Sequence, residues 1–265
     1  MPTQQYNSEA VGLMATHFPL RLDSTYALGQ AIGGILLTPA LRGLWSGGSI
    51  DEHKGIVDLS GQGRELVAMN TLAWGRYGIL PYIDFTRASS EYLKRVTEHG
   101  LEITTIGLTC WAWVYFDVES SAAETGIISK WYTTGDKRGY VLYKSTANAF
   151  TFTISHHGDA ATIVTIGDAA ANYTISKWWF LAGRFEPSAE VALMVGNATS
   201  GAYTWYKNAV AIPATIYVTD EAFEVGRYDR DNYLDGRIPL FGIAAEHLTD
   251  TEVWNIFSQT RPLLV

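Results

Sequence analysis

Short runs rich in Val, Ile, Thr, Tyr, Phe and Trp follow one another from residue 41 onward, separated by clusters of Gly, Asn, Asp and Ser. Such runs are typical of β-strands, and they recur roughly every 8–14 residues, as in an antiparallel sandwich. No long helical pattern alternates with them, which disfavours a parallel α/β sheet. The pattern predicts an all-β fold of two antiparallel sheets, with strands at 108–116, 139–143, 150–155, 161–166, 178–185, 190–195, 203–207 and 222–226.

Two segments depart from this β pattern. Thr249 and Glu252 have the spacing of a capping box and precede apolar residues at helical intervals, which predicts a short helix over residues 249–258. A helix-compatible run follows Ser24 and ends near Pro39. We therefore divide the chain into a partly helical N-terminal extension, residues 1–40, and a sandwich, residues 41–265. The extension carries many large apolar side chains, so we expect it to anchor the domain to another chain.

The composition favours a folded domain with a large core and excludes several partners. Hydrophobic residues make up 47% of the chain and charged residues 17%, unlike a disordered protein. The 19 basic and 27 acidic side chains give a net charge of −8 without a basic cluster. Neither nucleic acid nor an anionic membrane surface is therefore an expected partner. The most apolar early stretch, residues 27–41, is interrupted by Gln, Gly and Pro, so no membrane insertion is expected.

The cysteine content and the first ten residues indicate the kind of cellular compartment in which the protein folds. Cys110 is the only cysteine, which excludes an intramolecular disulfide and a cysteine-type zinc site. The first ten residues, MPTQQYNSEA, lack the basic and apolar segments of a secretory signal. Both features predict a soluble protein that folds in a reducing cell.

The order of short motifs between residues 41 and 262 resembles one known family. The motifs lie at residues 42–45, 57–63, 82–85, 91–93, 108–114, 126–130, 178–182, 225–227 and 234–238, followed by the capped helix. In this order they are similar to the concanavalin A-like lectin/glucanase superfamily in its laminin-G-like jelly-roll form, of the kind seen in bacteriophage structural proteins. The resemblance implies a jelly-roll sandwich. Trp111 and Trp113 alternate along one strand, so we expect both in the inter-sheet core.

The superfamily includes glucanases, which carry carboxylates on alternating strand positions as E-x-D-x-E. Hydrolysis of a glycosidic bond needs two carboxylates that converge on it. The nearest approaches in this chain, Asp117 with Glu119 and Asp220 with Glu221 and Glu224, lack the third carboxylate. We predict that the protein is not an enzyme.

The loop at residues 228–235 gathers Asp229, Asp231 and Asp235, the hard oxygen ligands that calcium prefers. Their order does not follow an EF-hand, and arginines at 227, 230 and 237 can neutralise the carboxylates instead. Calcium on these three aspartates is therefore the weaker interpretation and a salt-bridged surface loop the stronger. We expect no other cofactor.

Aromatic residues near predicted turns are the best candidates for ligand contact. Trp131 and Tyr132 follow a predicted strand end, and Tyr203, Trp205 and Tyr206 lie beside a Gly- and Asn-containing turn. Rings of this kind stack on sugars, form protein interfaces or pack in the core, and the sequence leaves all three open.

The combined features favour a non-enzymatic virion structural protein, a capsid decoration or a tail or fibre component of a bacteriophage. Its expected partners are other virion proteins and further copies of itself, and its expected location is the virion, assembled in the host cytoplasm. A carbohydrate-binding lectin-type domain of a cellular protein is the alternative, and a glycoside hydrolase is the second alternative.

Overall fold

The computed structural model describes residues 40–50, 55–95, 99–103, 105–117, 124–168 and 173–265. Residues 1–39, on which the predicted extension and its helix fall, lie outside the described residues. The described part contains a nine-stranded sheet, a seven-stranded sheet and a two-stranded ribbon, all antiparallel, with one α-helix near the C-terminus. This confirms the all-β, two-sheet sandwich with a short C-terminal helix.

The strands run in chain order as follows: β1 Leu41–Ser46, β2 Val67–Met69, β3 Ala73–Tyr77, β4 Leu80–Phe85, β5 Tyr92–Arg95, β6 Leu108–Phe116, β7 Thr125–Tyr132, β8 Lys137–Lys144, β9 Phe150–Ser155, β10 Ile163–Gly167, β11 Trp178–Glu186, β12 Glu190–Asn197, β13 Tyr203–Asn208, β14 Phe223–Val225, β15 Arg227–Tyr228, β16 Asn232–Tyr233, β17 Gly236–Ile238 and β18 Leu240–Ala244. Helix α1 spans Asp250–Thr260, and 3-10 turns lie at Arg87–Ser89, His99–Leu101 and Arg261–Leu263. No helix in the described ranges is long and apolar enough to cross a membrane.

The nine-stranded sheet has the order β13-β12-β11-β6-β17-β4-β3, and the seven-stranded sheet has the order β10-β9-β8-β7-β14-β5-β2. One edge of β6 is shared by two short strands. Strand β17 pairs with its C-terminal end, whereas β18 pairs with its N-terminal half and carries β1 on its other side. The inward faces of the two large sheets enclose the main core.

Two tryptophans of β6 lie on the face opposite to the one expected. Trp111 and Trp113 do share a face, but they belong to a second cluster on the outer face of the nine-stranded sheet, together with Phe257 of α1. The inter-sheet core receives Cys110 and Val114 instead. Because the helix covers the outer face, β6 is buried on both sides and its sequence carries no signal for which face points inward.

Local turn and cap chemistry agrees with the sequence. The Asp58 carboxylate accepts hydrogen bonds from the backbone N–H groups of Leu44, Ser60 and Arg64, at 2.9–3.1 Å. Gly61 and Gly63 have φ values of 77° and 71°, in the left-handed region that glycine adopts without strain. Helix α1 begins with the predicted capping box, in which Thr249 accepts from the Glu252 backbone and the Glu252 carboxylate accepts from the Thr249 backbone. The Trp113 indole N–H donates to Thr260 Oγ1 at 2.7 Å, which fixes the helix to the sheet.

Candidate ligand-binding site

The three predicted aromatics of edge strand β13 alternate between its two faces. Tyr206 packs against the inter-sheet core. The half-buried ring of Trp205 lies 4.5 Å from the Arg184 guanidinium and 5.4 Å from Lys207 Nζ, and so covers an ion-pair network. Tyr203 is the exposed member, with 47% of its surface accessible. Of these three rings, Tyr203 therefore offers the most surface to a ligand.

Trp131 and Tyr132 lie within β7, because this strand continues two residues beyond the predicted end at Lys130. Trp131 is buried against Val141 and Tyr228. The half-buried Tyr132 ring is covered by the Arg230 guanidinium, 3.8 Å from the ring centroid. These two residues therefore lie beside the 228–235 loop, on the other sheet from Tyr203, so the predicted aromatics form two groups.

The three predicted calcium ligands differ in their surroundings. The Asp229 carboxylate accepts hydrogen bonds from Thr133 N and Oγ1, both at 2.7 Å. Asp231 is exposed, and the Asp235 carbonyl accepts from Asp117 N at 3.2 Å. Within the described ranges no three His, Cys, Asp or Glu side chains form a group that could hold a metal ion.

The three arginines near this loop pair with carboxylates from outside it. Arg227 forms a bidentate ion pair with the buried Glu224. Arg230 lies 3.4 Å from Glu221. Arg237 lies between Asp84 and Asp117. Within the described residues, the three arginines therefore pair with acids other than the loop carboxylates that they were expected to neutralise.

Arg237 belongs to a row of aromatic and charged side chains that crosses four strands. In register, Trp178 of β11 is opposite Tyr115 of β6, Tyr115 is opposite Arg237 of β17, and Arg237 is opposite Asp84 of β4. Directly opposed residues of neighbouring strands point to the same face. Trp178 and Tyr115 pack with the outer-face cluster, so the whole row lies on the outer face of the nine-stranded sheet.

Three further residues complete this group, which we call the tyrosine–arginine patch. Period-2 alternation places Tyr82 and Asp117 on the same face as Asp84 and Tyr115. Tyr77 of edge strand β3 joins them, since its ring is 5.6 Å from Trp178. The patch comprises Tyr77, Tyr82, Asp84, Tyr115, Asp117, Trp178 and Arg237.

The buried indole of Trp178 lies at the centre of the patch. Its ring is 5.2 Å from Tyr115 and 6.3 Å from Tyr82, in addition to its contact with Tyr77. Tyr77 is 44% exposed, and the rings of Tyr82 and Tyr115 are partly exposed. A Cβ atom at Gly75, opposite Tyr82 on β3, would lie 2.4 Å from the Tyr82 ring, so the glycine leaves room for that ring to lie across the sheet edge.

The patch carries two carboxylates and one guanidinium, so its net charge is negative. Arg237 Nη2 lies 2.8 Å from Asp117 Oδ1, and Arg237 Nε lies 3.7 Å from Asp84 Oδ1. The guanidinium also lies 5.2 Å and 4.9 Å from the Tyr82 and Tyr115 rings, in cation–π range. Partial burial raises the pKa of both aspartates; Arg237 opposes this, and neighbouring carboxylates add to it.

Two donors in the patch, Trp178 Nε1 and Arg237 Nε, are buried without a hydrogen-bond partner among the described residues. Unsatisfied buried donors are uncommon in folded proteins. Chemically, the patch offers aromatic faces, carboxylate acceptors and guanidinium donors on one surface. Sequence reasoning missed it, although Tyr-x-Asp occurs three times, at 82–84, 115–117 and 233–235, and the first two copies lie in the patch.

Neither a protein-family model nor a curated protein matches the chain. Among solved structures, the receptor-binding domain of botulinum neurotoxin mosaic serotype C/D is similar, with 10% identity, a TM-score of 0.63 and coverage of 83% of this chain and 50% of that one. The binding domain of botulinum neurotoxin serotype G has 13% identity, a TM-score of 0.59 and coverage of 82% and 50%. The binding domain of Paraclostridial Mosquitocidal Protein 1 has 14% identity, a TM-score of 0.58 and coverage of 82% and 52%.

The chain thus spans about half the length of these structures. At such low identity the likeness shows a shared β-sandwich fold. The narrower assignment to the laminin-G-like jelly roll, and its association with bacteriophage, stay predictions.

Proposed function

We propose that this chain is a non-enzymatic binding domain that recognises glycans through the tyrosine–arginine patch. The observation that carries the proposal is the register of β11, β6, β17 and β4, which lines up an indole, a tyrosine, an arginine and an aspartate on one face. Tyrosine rings stack on the apolar faces of sugars, while carboxylates and guanidinium groups bond their hydroxyls. The similar solved structures include domains named for receptor binding, a use compatible with this proposal.

The patch meets the needs of a sugar site better than the predicted aromatics do. Trp131 and Tyr206 are packed against neighbouring side chains, Tyr132 is covered by Arg230, and Trp205 lies half-buried over Arg184. Tyr203 presents a ring without a carboxylate partner among its described contacts. The patch combines three tyrosines with two carboxylates on one face.

The two aspartates of the patch are the carboxylates at which hydrolysis has to be tested. A retaining or inverting glycosidase needs one carboxyl held protonated as the acid. Burial raises the pKa of both Asp84 and Asp117, although Arg237 between them favours the ionised forms, so hydrolysis has to be tested directly. Hydrolysis of β-glucans or bacterial polysaccharides that Asp117→Asn abolishes would contradict the non-enzymatic proposal.

The same proposal places the domain on a virion, as a capsid decoration or a tail or fibre component, with other virion proteins and copies of itself as partners. Its support is the sequence resemblance to bacteriophage structural proteins, together with a sandwich whose only cysteine is buried and free. A cellular lectin-type domain with the same patch is the alternative. Mass spectrometry of purified particles separates the two: the chain should co-purify with capsid and tail proteins, and its absence from particles would favour the cellular lectin.

The glycan proposal is tested by comparing two matched tyrosines on opposite edges of the same sheet. Tyr77 in the patch is 44% exposed, and Tyr203 on β13 is 47% exposed, so alanine at either position should leave the fold intact. We expect Tyr77→Ala to weaken the binding of array-selected oligosaccharides by about threefold to tenfold, the worth of one stacking contact. Tyr203→Ala should leave affinity unchanged. Equal effects of both variants, or no oligosaccharide binding at all, would contradict the proposal.

A further inference from the structure

The charges around the patch limit which glycans can enter it. Resting on the proposed function, we infer that the patch takes hydroxyl-rich glycans without anionic groups and excludes sialylated, uronic-acid and sulfated ones.

Carboxylates outnumber cations at the patch. Besides Asp84 and Asp117, Asp235 lies close enough to raise the pKa of both, and Glu91 raises that of Asp84. Arg237 is the cation that acts on both aspartates. Arg87, on the turn after β4, donates instead to the Tyr233 carbonyl at 2.9 Å and to Thr125 Oγ1 at 2.8 Å. At the patch surface an approaching anion therefore meets two carboxylates, Asp84 and Asp117, and the one guanidinium between them.

The guanidinium of Arg237 is already committed within the protein. It contacts Asp117 at 2.8 Å, lies near Asp84 and is flanked by the rings of Tyr82 and Tyr115. To form a bidentate pair with a ligand carboxylate or sulfate, it would have to leave Asp117 and expose that charge to the incoming anion. Because its Nε is buried and its Nη2 is held by Asp117, Arg237 offsets the aspartate charge and is poorly placed to receive a ligand anion.

The aspartates retain acceptor capacity that suits hydroxyl donors. An ionised carboxylate has about four acceptor positions. The contact of Asp84 with Arg237 is 3.7 Å, beyond hydrogen-bond distance, and within the described residues its carboxylate accepts no hydrogen bond. A sugar hydroxyl can donate to Asp84 without displacing a protein contact, whereas a carboxylate or sulfate group at that position brings a second acceptor and no donor.

The experiment compares matched glycan pairs against the full chain by titration calorimetry. The probes are lactose and sialyllactose, and a neutral glucan oligosaccharide and its sulfated derivative, at low and high sodium chloride. We expect the neutral member of each pair to bind at least about fivefold more tightly at low salt, and the difference to shrink as salt screens the carboxylates. Equal or tighter binding of the anionic member would overturn the inference.

Asp117→Asn provides the second arm, because it keeps the side-chain shape, removes one charge and releases Arg237. The preference for the neutral glycan should fall at least about threefold. Glu246→Gln is the matched control, since Glu246 is exposed and its backbone carbonyl bonds Thr109 at the opposite end of β6. A preference unchanged by Asp117→Asn also overturns the inference. Glycan binding that Tyr77→Ala leaves unchanged would contradict the proposed site, and with it this inference. Binding that Tyr77→Ala weakens, but that shows no preference for neutral glycans, would contradict this inference alone.

Discussion

Replacement of Trp111 by alanine tests the packing of the outer face of the nine-stranded sheet. Trp111 is fully buried, and its ring fills the space above Gly242, where a Cβ atom would lie 2.3 Å from it. A tryptophan buries about 200 Å², worth about 5 kcal/mol at ~25 cal/mol per Å². The indole N–H has no hydrogen-bond partner among the described residues, and its removal offsets part of that loss. We expect Trp111→Ala to lower the free energy of unfolding by about 3–5 kcal/mol.

The assay is guanidinium unfolding followed by far-ultraviolet circular dichroism, so that loss of a tryptophan does not alter the signal. Trp254→Ala on helix α1 is the matched control, because Trp254 is 41% exposed and should cost about 1 kcal/mol or less. If Trp111→Ala unfolds within about 1 kcal/mol of the parent, Trp111 is not a core residue and the packing described above is wrong.

Three further predictions concern reactivity, pH and assembly. Burial raises the pKa of the Cys110 thiol to about 12, so Ellman's reagent should react only after unfolding, and rapid reaction of the native protein would contradict this. Burial alone would raise the pKa of Glu190 and Asp250, but bonds to Arg184 and Lys207 lower both. The ion pairs of these two carboxylates therefore stabilise the fold above pH values near 4, and this stabilisation is lost as pH falls through the depressed pKa values. The melting temperature should fall over that range, and less steeply in Asp250→Asn than in the parent. Equal slopes in the two proteins would contradict this. Deletion of residues 1–38 should leave the sandwich folded but abolish self-association or particle assembly in sedimentation and incorporation assays, whereas an unfolded product would make this segment part of the core.

Local patterns sufficed for much of the fold. Strands 108–116 and 150–155 have the predicted bounds, because their apolar and β-branched residues are bounded by turn-forming ones. The capping box of α1 was equally readable, since its two partners are three residues apart. Side-chain facing was less accessible. Trp111 and Trp113 were placed in the wrong layer because β6 has no polar face to distinguish its two sides.

The candidate site depends on strand pairing, which a single sequence does not specify. Asp84, Tyr115 and Arg237 come from three strands far apart in the chain, and only the insertion of β17 between β4 and β6 brings them into register. The repeated Tyr-x-Asp pattern was a usable signal, but it does not reveal that the copies at 82–84 and 115–117, and not the one at 233–235, face the same arginine through both residues. For the same reason, Trp131 was predicted at a strand end, where a turn would expose it, although β7 continues through Tyr132.

A crystal structure of the protein with a neutral oligosaccharide selected on a glycan array is the best test of a glycan site on the outer face of the nine-stranded sheet. We expect a sugar ring stacked on Tyr77, Tyr82 or Tyr115, with one of its hydroxyls within hydrogen-bond distance of the Asp84 carboxylate. A sugar bound instead at Tyr203, or beside Tyr132 and Arg230, with the patch empty, would contradict it.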